Sequence, residues 1–199
     1  TASYNVAVGT SALDSITTGD MNIAIGSDAL TAATTAGQNV AVGKGALNST
    51  TDATYSVAVG YLALDSTLSA SYNTAVGYDS MSSNTTGQTN AAIGSQSLRA
   101  NTIGAQNTAI GHYALAGNTE GNDNIGLGHS AGDNITTGDN NIIIGKNIDA
   151  PSATADDQLN IGNTIYADMS SPKVGIGISS PKTAFTVEGA ITLKEQSAA

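Results

Sequence analysis

His112 and His129 are the only histidines in the 199-residue chain, and they stand 17 positions apart. If that interval brings them to adjacent levels of a stacked structure, their rings lie about 5 Å apart and could share a metal ion. No Asp or Glu stands in the same register, so only a symmetry axis through several chains would supply the missing ligands. Nucleophilic catalysis has less material still. No Ser, His and acid recur as a triad-like group, and Glu120, Glu188 and Glu195 lie in separate segments. Asp14, Asp65 and Asp79 are the carboxylates from which a shallow glycan-hydrolysing pair between chains would be drawn, but their spacing selects none of them. The acidic turns Gly121-Asn122-Asp123-Asn124 and Gly138-Asp139-Asn140-Asn141 have neither EF-hand spacing nor the glycine-rich calcium nonapeptide, and they read as solvated turns. With no Cys there is no disulfide and no thiolate site. The expectation is a protein without enzymatic activity, metal or cofactor.

Contact chemistry is better represented. Tyr61, Tyr78, His112 and His129, each directly after a glycine, form with Tyr113 a candidate receptor-binding stripe, interrupted by Ser95. Flat rings with a polar edge suit stacking on sugars or on a protein surface. The competing meaning is that planar side chains are merely tolerated there. Tyr4, Tyr55 and Tyr72 form a second column, five before the glycine, for which packing is expected. Thr17, Thr34, Thr51, Thr85, Thr102, Thr119 and Thr136 form a third column, broken at Leu68. A regular hydroxyl array raises ice binding as an alternative. Its second Thr is adjacent, as in Thr17-Thr18, and adjacent strand residues face opposite ways, so turn capping is the favoured meaning.

These columns exist because the chain repeats. Glycine recurs every 17 residues at Gly9, Gly26, Gly43, Gly60, Gly77, Gly94, Gly111, Gly128 and Gly145, and again at Gly162. Four places earlier stand Asn5, Asn22, Asn39, Asn73, Asn90, Asn107, Asn124 and Asn141, with Ser56 the exception. Ala fills the position two before the glycine in seven consecutive units, a branched aliphatic fills the position before it, and Leu or Met follows four places after. The unit is N-x-A-[VI]-G-x-x-A-L and then a polar stretch that often holds T-T-G.

Valine alternation suits short strands and the Gly and Thr-Thr-Gly positions suit chain reversal, so each unit is expected to contain two extended segments and two turns. One such unit is too small to fold alone; stacking supplies the backbone ladders and covers the faces. The expected fold is all-β, a parallel β-solenoid or β-roll of about ten 17-residue coils over residues 1–150. Residues 151–199 are expected to hold a terminal coil, a linker and a small β-strand module, because all three prolines, Pro151, Pro172 and Pro181, lie there. Within it, the Lys173 and Phe185 segments read as short strands and Lys194 to Ala199 as a tail. The Asn column is expected to be an amide ladder, the Ala column a close approach inside the coil or against another chain, and the glycine a contact that a Cβ would forbid. A narrow coil cannot enclose all its apolar columns, so three chains are expected to associate with the Ala and Val/Ile columns toward a shared axis. Residue 1 enters almost directly into the repeat register with no polar cap, and the chain is expected to be a piece of something longer.

At these residues the unit resembles the head repeats of trimeric autotransporter adhesins. It is more similar to the longer repeat of bacteriophage tail-fibre proteins, for which Asn73-Thr74-Ala75-Val76-Gly77 followed by Asn84-Thr85-Thr86-Gly87 is the best match. The stretch Val174-Gly175-Ile176-Gly177 to Gly189 resembles the linker before a self-cleaving chaperone in such fibres. The resemblance implies a homotrimer of parallel β-coils, intertwined or side by side, outside the cell as a virion tail fibre or on a bacterial surface, attaching to a host or surface. A host-surface glycan or protein receptor is the implied partner. Composition narrows the rest. A net charge of -10 disfavours nucleic acid and anionic membranes, and no apolar run is long enough for membrane insertion. A polysaccharide-degrading fibre stands beside ice binding as the remaining alternative.

Overall fold

The computed structural model describes residues 1–189, and the expected Lys194 to Ala199 tail lies outside the described residues. The chain is an all-β parallel solenoid. Its first nine strands are Val6–Val8 (β1), Ile23–Ile25 (β2), Val40–Val42 (β3), Val57–Val59 (β4), Thr74–Val76 (β5), Ala91–Ile93 (β6), Thr108–Ile110 (β7), Ile125–Leu127 (β8) and Ile142–Ile144 (β9). Each pairs in parallel with the next, residue on residue at the 17-residue interval, as in Val57↔Thr74 and Ala58↔Ala75. Gln158–Ile161 (β10) continues the parallel register from β9. Ten strands are thus separated by nine turns of the solenoid. Ile165–Asp168 (β11) and Lys173–Ile176 (β12) then pair antiparallel, and Phe185–Val187 (β13) pairs parallel to β12, so the sheet runs through thirteen strands in chain order.

Each coil holds one three-residue strand, where two extended segments were expected. The Ala-Leu stretch after the glycine turns instead of extending, because Leu30, Leu47, Leu64, Met81, Leu98 and Leu115 all take positive φ, between 48° and 54°. An αL conformation costs a branched side chain about 1–2 kcal/mol, while burying it returns about 1.5–3. These six side chains fill the coil interior at 0% exposure, so burial wins.

The glycine column has a steric cause. A Cβ on Gly77 would clash with the carbonyl oxygen of Gly94, and Gly77 itself sits at φ +141°. The same clash, with the glycine one coil on, recurs from Gly9 to Gly128. Successive coils approach at this corner closely enough that only hydrogen fits.

Parity inside the strand settles the Ala question. Ala24, Ala41, Ala58, Ala75, Ala92 and Ala109 are fully buried in the coil. They cannot line an axis between chains, which corrects that part of the expected arrangement. Their neighbours on either side point outward, since alternate strand residues face opposite ways.

Two buried asparagine columns tie the levels together. In the expected one, the Asn90 side-chain amide donates to the Gly104 carbonyl, and its oxygen accepts the Asn107 backbone N–H at 2.9 Å. The same pattern runs from Asn5 to Asn141 and passes to Gln158. At the gap, Ser56 Oγ accepts the Asn73 N–H at a longer 3.3 Å. The second column, Asn84, Asn101 and Asn118, was not expected. Each donates to the glycine carbonyl three residues on, and Asn118 and Asn101 each also donate to the Asn one level earlier. The carbonyls of Gly87, Gly104 and Gly121 therefore each receive two amide donors, one from each column. The column stops where Ile135 replaces Asn, and the Asn118 oxygen is left buried without a partner.

Candidate functional site

The outward face of the strand column gathers the sequence-predicted contact residues. Alternation places four residues per coil on it: those five, three and one before the glycine and the one after. In the β4 coil they are Tyr55, Val57, Val59 and Tyr61, and in the β5 coil Tyr72, Thr74, Val76 and Tyr78. The middle two columns are apolar apart from Thr74 and Thr108: Val6, Val8, Ile23, Ile25, Ile93, Ile110, Ile125 and Leu127 are exposed by 38–57%, and the members from Val40 to Val76 are half-buried. At about 4.8 Å per level and about 3.3 Å per residue, the face measures about 45 Å by about 20 Å. With the polar margins included, that area of roughly 900 Å² matches one side of a standard interface.

The aromatic residues flank this face. Tyr61 stacks on Tyr78 with centroids 5.5 Å apart and planes at 6°. On the opposite margin Tyr55 stacks on Tyr72 at 5.0 Å and 6°. The Tyr55 column was expected to pack, but both rings are half-exposed, touching each other along the rod. Tyr4 is 83% exposed. His112 stacks on His129 at 5.1 Å and meets Tyr113 edge-on at 4.1 Å. The stripe therefore divides into a tyrosine pair and a His-His-Tyr cluster, with Ser95 between them.

The histidine rings lie at 28° to one another, so their lone pairs run nearly side by side instead of converging on one ion. His129 Nδ1 lies 2.9 Å from Asn147 Oδ1. Among the described residues no group of three or more His, Cys, Asp or Glu is placed to hold a metal. In the second acidic turn the carboxylate is engaged by the backbone, since Asp139 Oδ1 accepts the N–H of Asn122 at 2.6 Å, and Asp156 Oδ1 in turn accepts the N–H of Asp139.

Within one chain Asp14 and Asp65 share a column three levels apart, about 14 Å, too far to pair with each other. Burial pushes the Asp65 carboxyl above its ordinary range; a hydrogen bond with Asn48 opposes this and the charge of Asp79 adds to it. Asp133 and Asp149 do meet, and there burial, a shared hydrogen bond and mutual repulsion raise Asp149. They are 16 residues apart and so stand in adjacent columns, which a search at the 17-residue interval does not pair. At the far end an open cleft of about 620 Å³ is lined by Asp156, Asp157, Asp168, Lys173 and Lys182.

The threonine hydroxyls are also engaged. Those of Thr17, Thr34, Thr51, Thr85, Thr102, Thr119 and Thr136 each donate to the carbonyl one level on, at 2.8–3.3 Å. An array whose hydroxyls are directed into the chain is a set of turn caps. Comparison with family models, with curated proteins and with solved structures finds no match for this chain.

Proposed function

We propose that this chain is a shaft segment of an extracellular fibre, a virion tail fibre or a bacterial surface appendage, that associates side by side as a homotrimer and mediates attachment to a host or surface. The observation that carries this reading is the apolar outward face, which extends along the whole stack and has no partner within the chain. A rod built from backbone ladders, buried amide columns and close glycine contacts is stiff by construction, which suits reach and contact. Copies joined through this face bury the columns before the glycine and leave the turn-rich sides to meet a glycan or protein receptor. Sedimentation of the intact chain tests the reading. A trimer that dissociates when Val42, Val59 and Val76 are changed to Lys is the expected result, since all three are outward and their replacement leaves the coil interior unchanged. A stable monomer at every concentration overturns it.

A further inference from the structure

We infer that the two margins of the outward face form a seam between copies of this chain, with the Tyr55/Tyr72 stack of one copy lying against the Tyr61/Tyr78 stack of the next. The inference rests on the self-association proposed above and specifies how it is built.

Both stacks belong to the β4 and β5 coils, so they stand at the same height on opposite sides of the Val57, Val59, Thr74 and Val76 patch. All four rings are 43–57% exposed, and each stack presents a flat edge two levels tall. The charge of the two margins differs in the same sense along the rod. The margin before the strand carries Asp123 and Asp157 and no cation; the margin after it carries Lys44, Lys146 and both histidines and no acid.

A symmetry axis parallel to the rod brings the leading margin of one copy against the trailing margin of the next, without axial shift. Five of the levels then join complementary groups: Gln38 with Lys44, Tyr55 with Tyr61, Tyr72 with Tyr78, Asp123 with His129 and Asn140 with Lys146. An antiparallel two-fold pair would instead set the cationic margin against itself. The consequence for the receptor stripe is specific: Tyr61 and Tyr78 serve the seam between subunits.

The native chain has no cysteine, which gives a clean test. Three variants of the full chain, Tyr55→Cys, Tyr61→Cys and the double replacement, are oxidised under dilute conditions and run on a non-reducing gel. Positions 55 and 61 flank β4, two residues beyond either end and about 15–20 Å apart, beyond the reach of an internal disulfide. The double variant is expected to yield covalent oligomers, with each single variant at least tenfold less cross-linked. Far-UV circular dichroism and sedimentation check that fold and assembly are kept. Single variants that cross-link as well as the double, or a double variant that sediments as an oligomer without cross-linking, overturn the seam and leave self-association standing. A wild-type chain that sediments as a monomer removes both.

Discussion

Replacing Asn90 by Ala removes one rung of the longer amide column and leaves the coils on either side otherwise intact. Three hydrogen bonds go: the side-chain amide to the Gly104 carbonyl at 2.9 Å, and the Asn107 backbone N–H and side-chain amide to the Asn90 oxygen at 2.9 and 3.1 Å. The Gly104 carbonyl keeps its second donor, Asn101, so that loss is mild. The Asn107 N–H is fully buried and has no substitute acceptor, and such an orphan costs about 1–3 kcal/mol. With the remaining bonds at about 1 kcal/mol each, the expected loss is about 3–5 kcal/mol. Asn90→Ser is expected to cost about half as much, because a serine at this position can still accept the next N–H, as Ser56 does for Asn73. Urea unfolding followed by far-UV circular dichroism at fixed protein concentration measures both, and amide exchange at Asn107 reports the local opening. An Ala variant within about 1 kcal/mol of wild type, or a Ser variant no better than Ala, would show that the column is incidental to stability.

The same reasoning predicts that Ser56→Asn raises stability by about 1 kcal/mol, since the new amide reaches the Ala70 carbonyl as its counterparts reach Ala36 and Ala53; an unchanged midpoint contradicts it. At the eighth and ninth coils, Gly132→Leu alone is expected to overpack, because a Cβ there already meets Leu115, Ile143 and Ile135 side chains at 3.0–3.3 Å, and Ile143→Ala alone to cost about 2–4 kcal/mol through a cavity. The double variant restores the Leu and Ala of the other coils and should recover at least about 2 kcal/mol relative to the sum of the two, read from a double-mutant cycle; additivity refutes this. The Asp168 carboxyl is held down to about 2 by hydrogen bonds from the Ser170 and Ser171 hydroxyls, the first at 2.6 Å. Because the folded value is depressed, its contribution is complete above the ordinary carboxylate range near pH 4 and is lost as pH falls toward 2. Tyr166 fluorescence should follow that loss and Asp168→Asn should flatten it.

The repeat made most of the architecture legible, and the failures have local causes. One residue interval fixed the stacking, and Asn at a constant offset fixed the buried column, because an amide can bond to copies of itself above and below. The second column was missed because Thr50 and Thr67 precede it and Ile135 ends it, so no single residue type marks it. An Asn three before a glycine, at Asn84, Asn101 and Asn118, is the signal that would have found it. The expectation of a second strand failed because Leu reads as a strand or helix residue, whereas here burial holds it at positive φ. The Ala column was sent to an axis between chains when parity keeps it inside. For the stripe, spacing put the residues in one column and correctly placed them outward, but which neighbours touch depended on Ser95 and on Tyr113 leaning onto His112.

Within one chain the repeats also act as their own comparison. Apolar interior positions vary with compensation: where Gly132 replaces Leu, the Ile135 and Ile143 side chains occupy the space, and where Gly126 replaces Ala, Leu115 does. Outward positions are free of that demand, and the column after the glycine accordingly runs through Thr, Ser, Lys, Tyr and His. The column before the glycine is equally outward, yet in ten coils it holds only Val, Ile or Leu, from Val8 to Ile161. Strand propensity alone would admit Thr there, as it does two residues earlier at Thr74 and Thr108. An outward column kept uniformly aliphatic is what the self-association proposed above requires, because a face that a neighbouring copy covers would exclude polar side chains there.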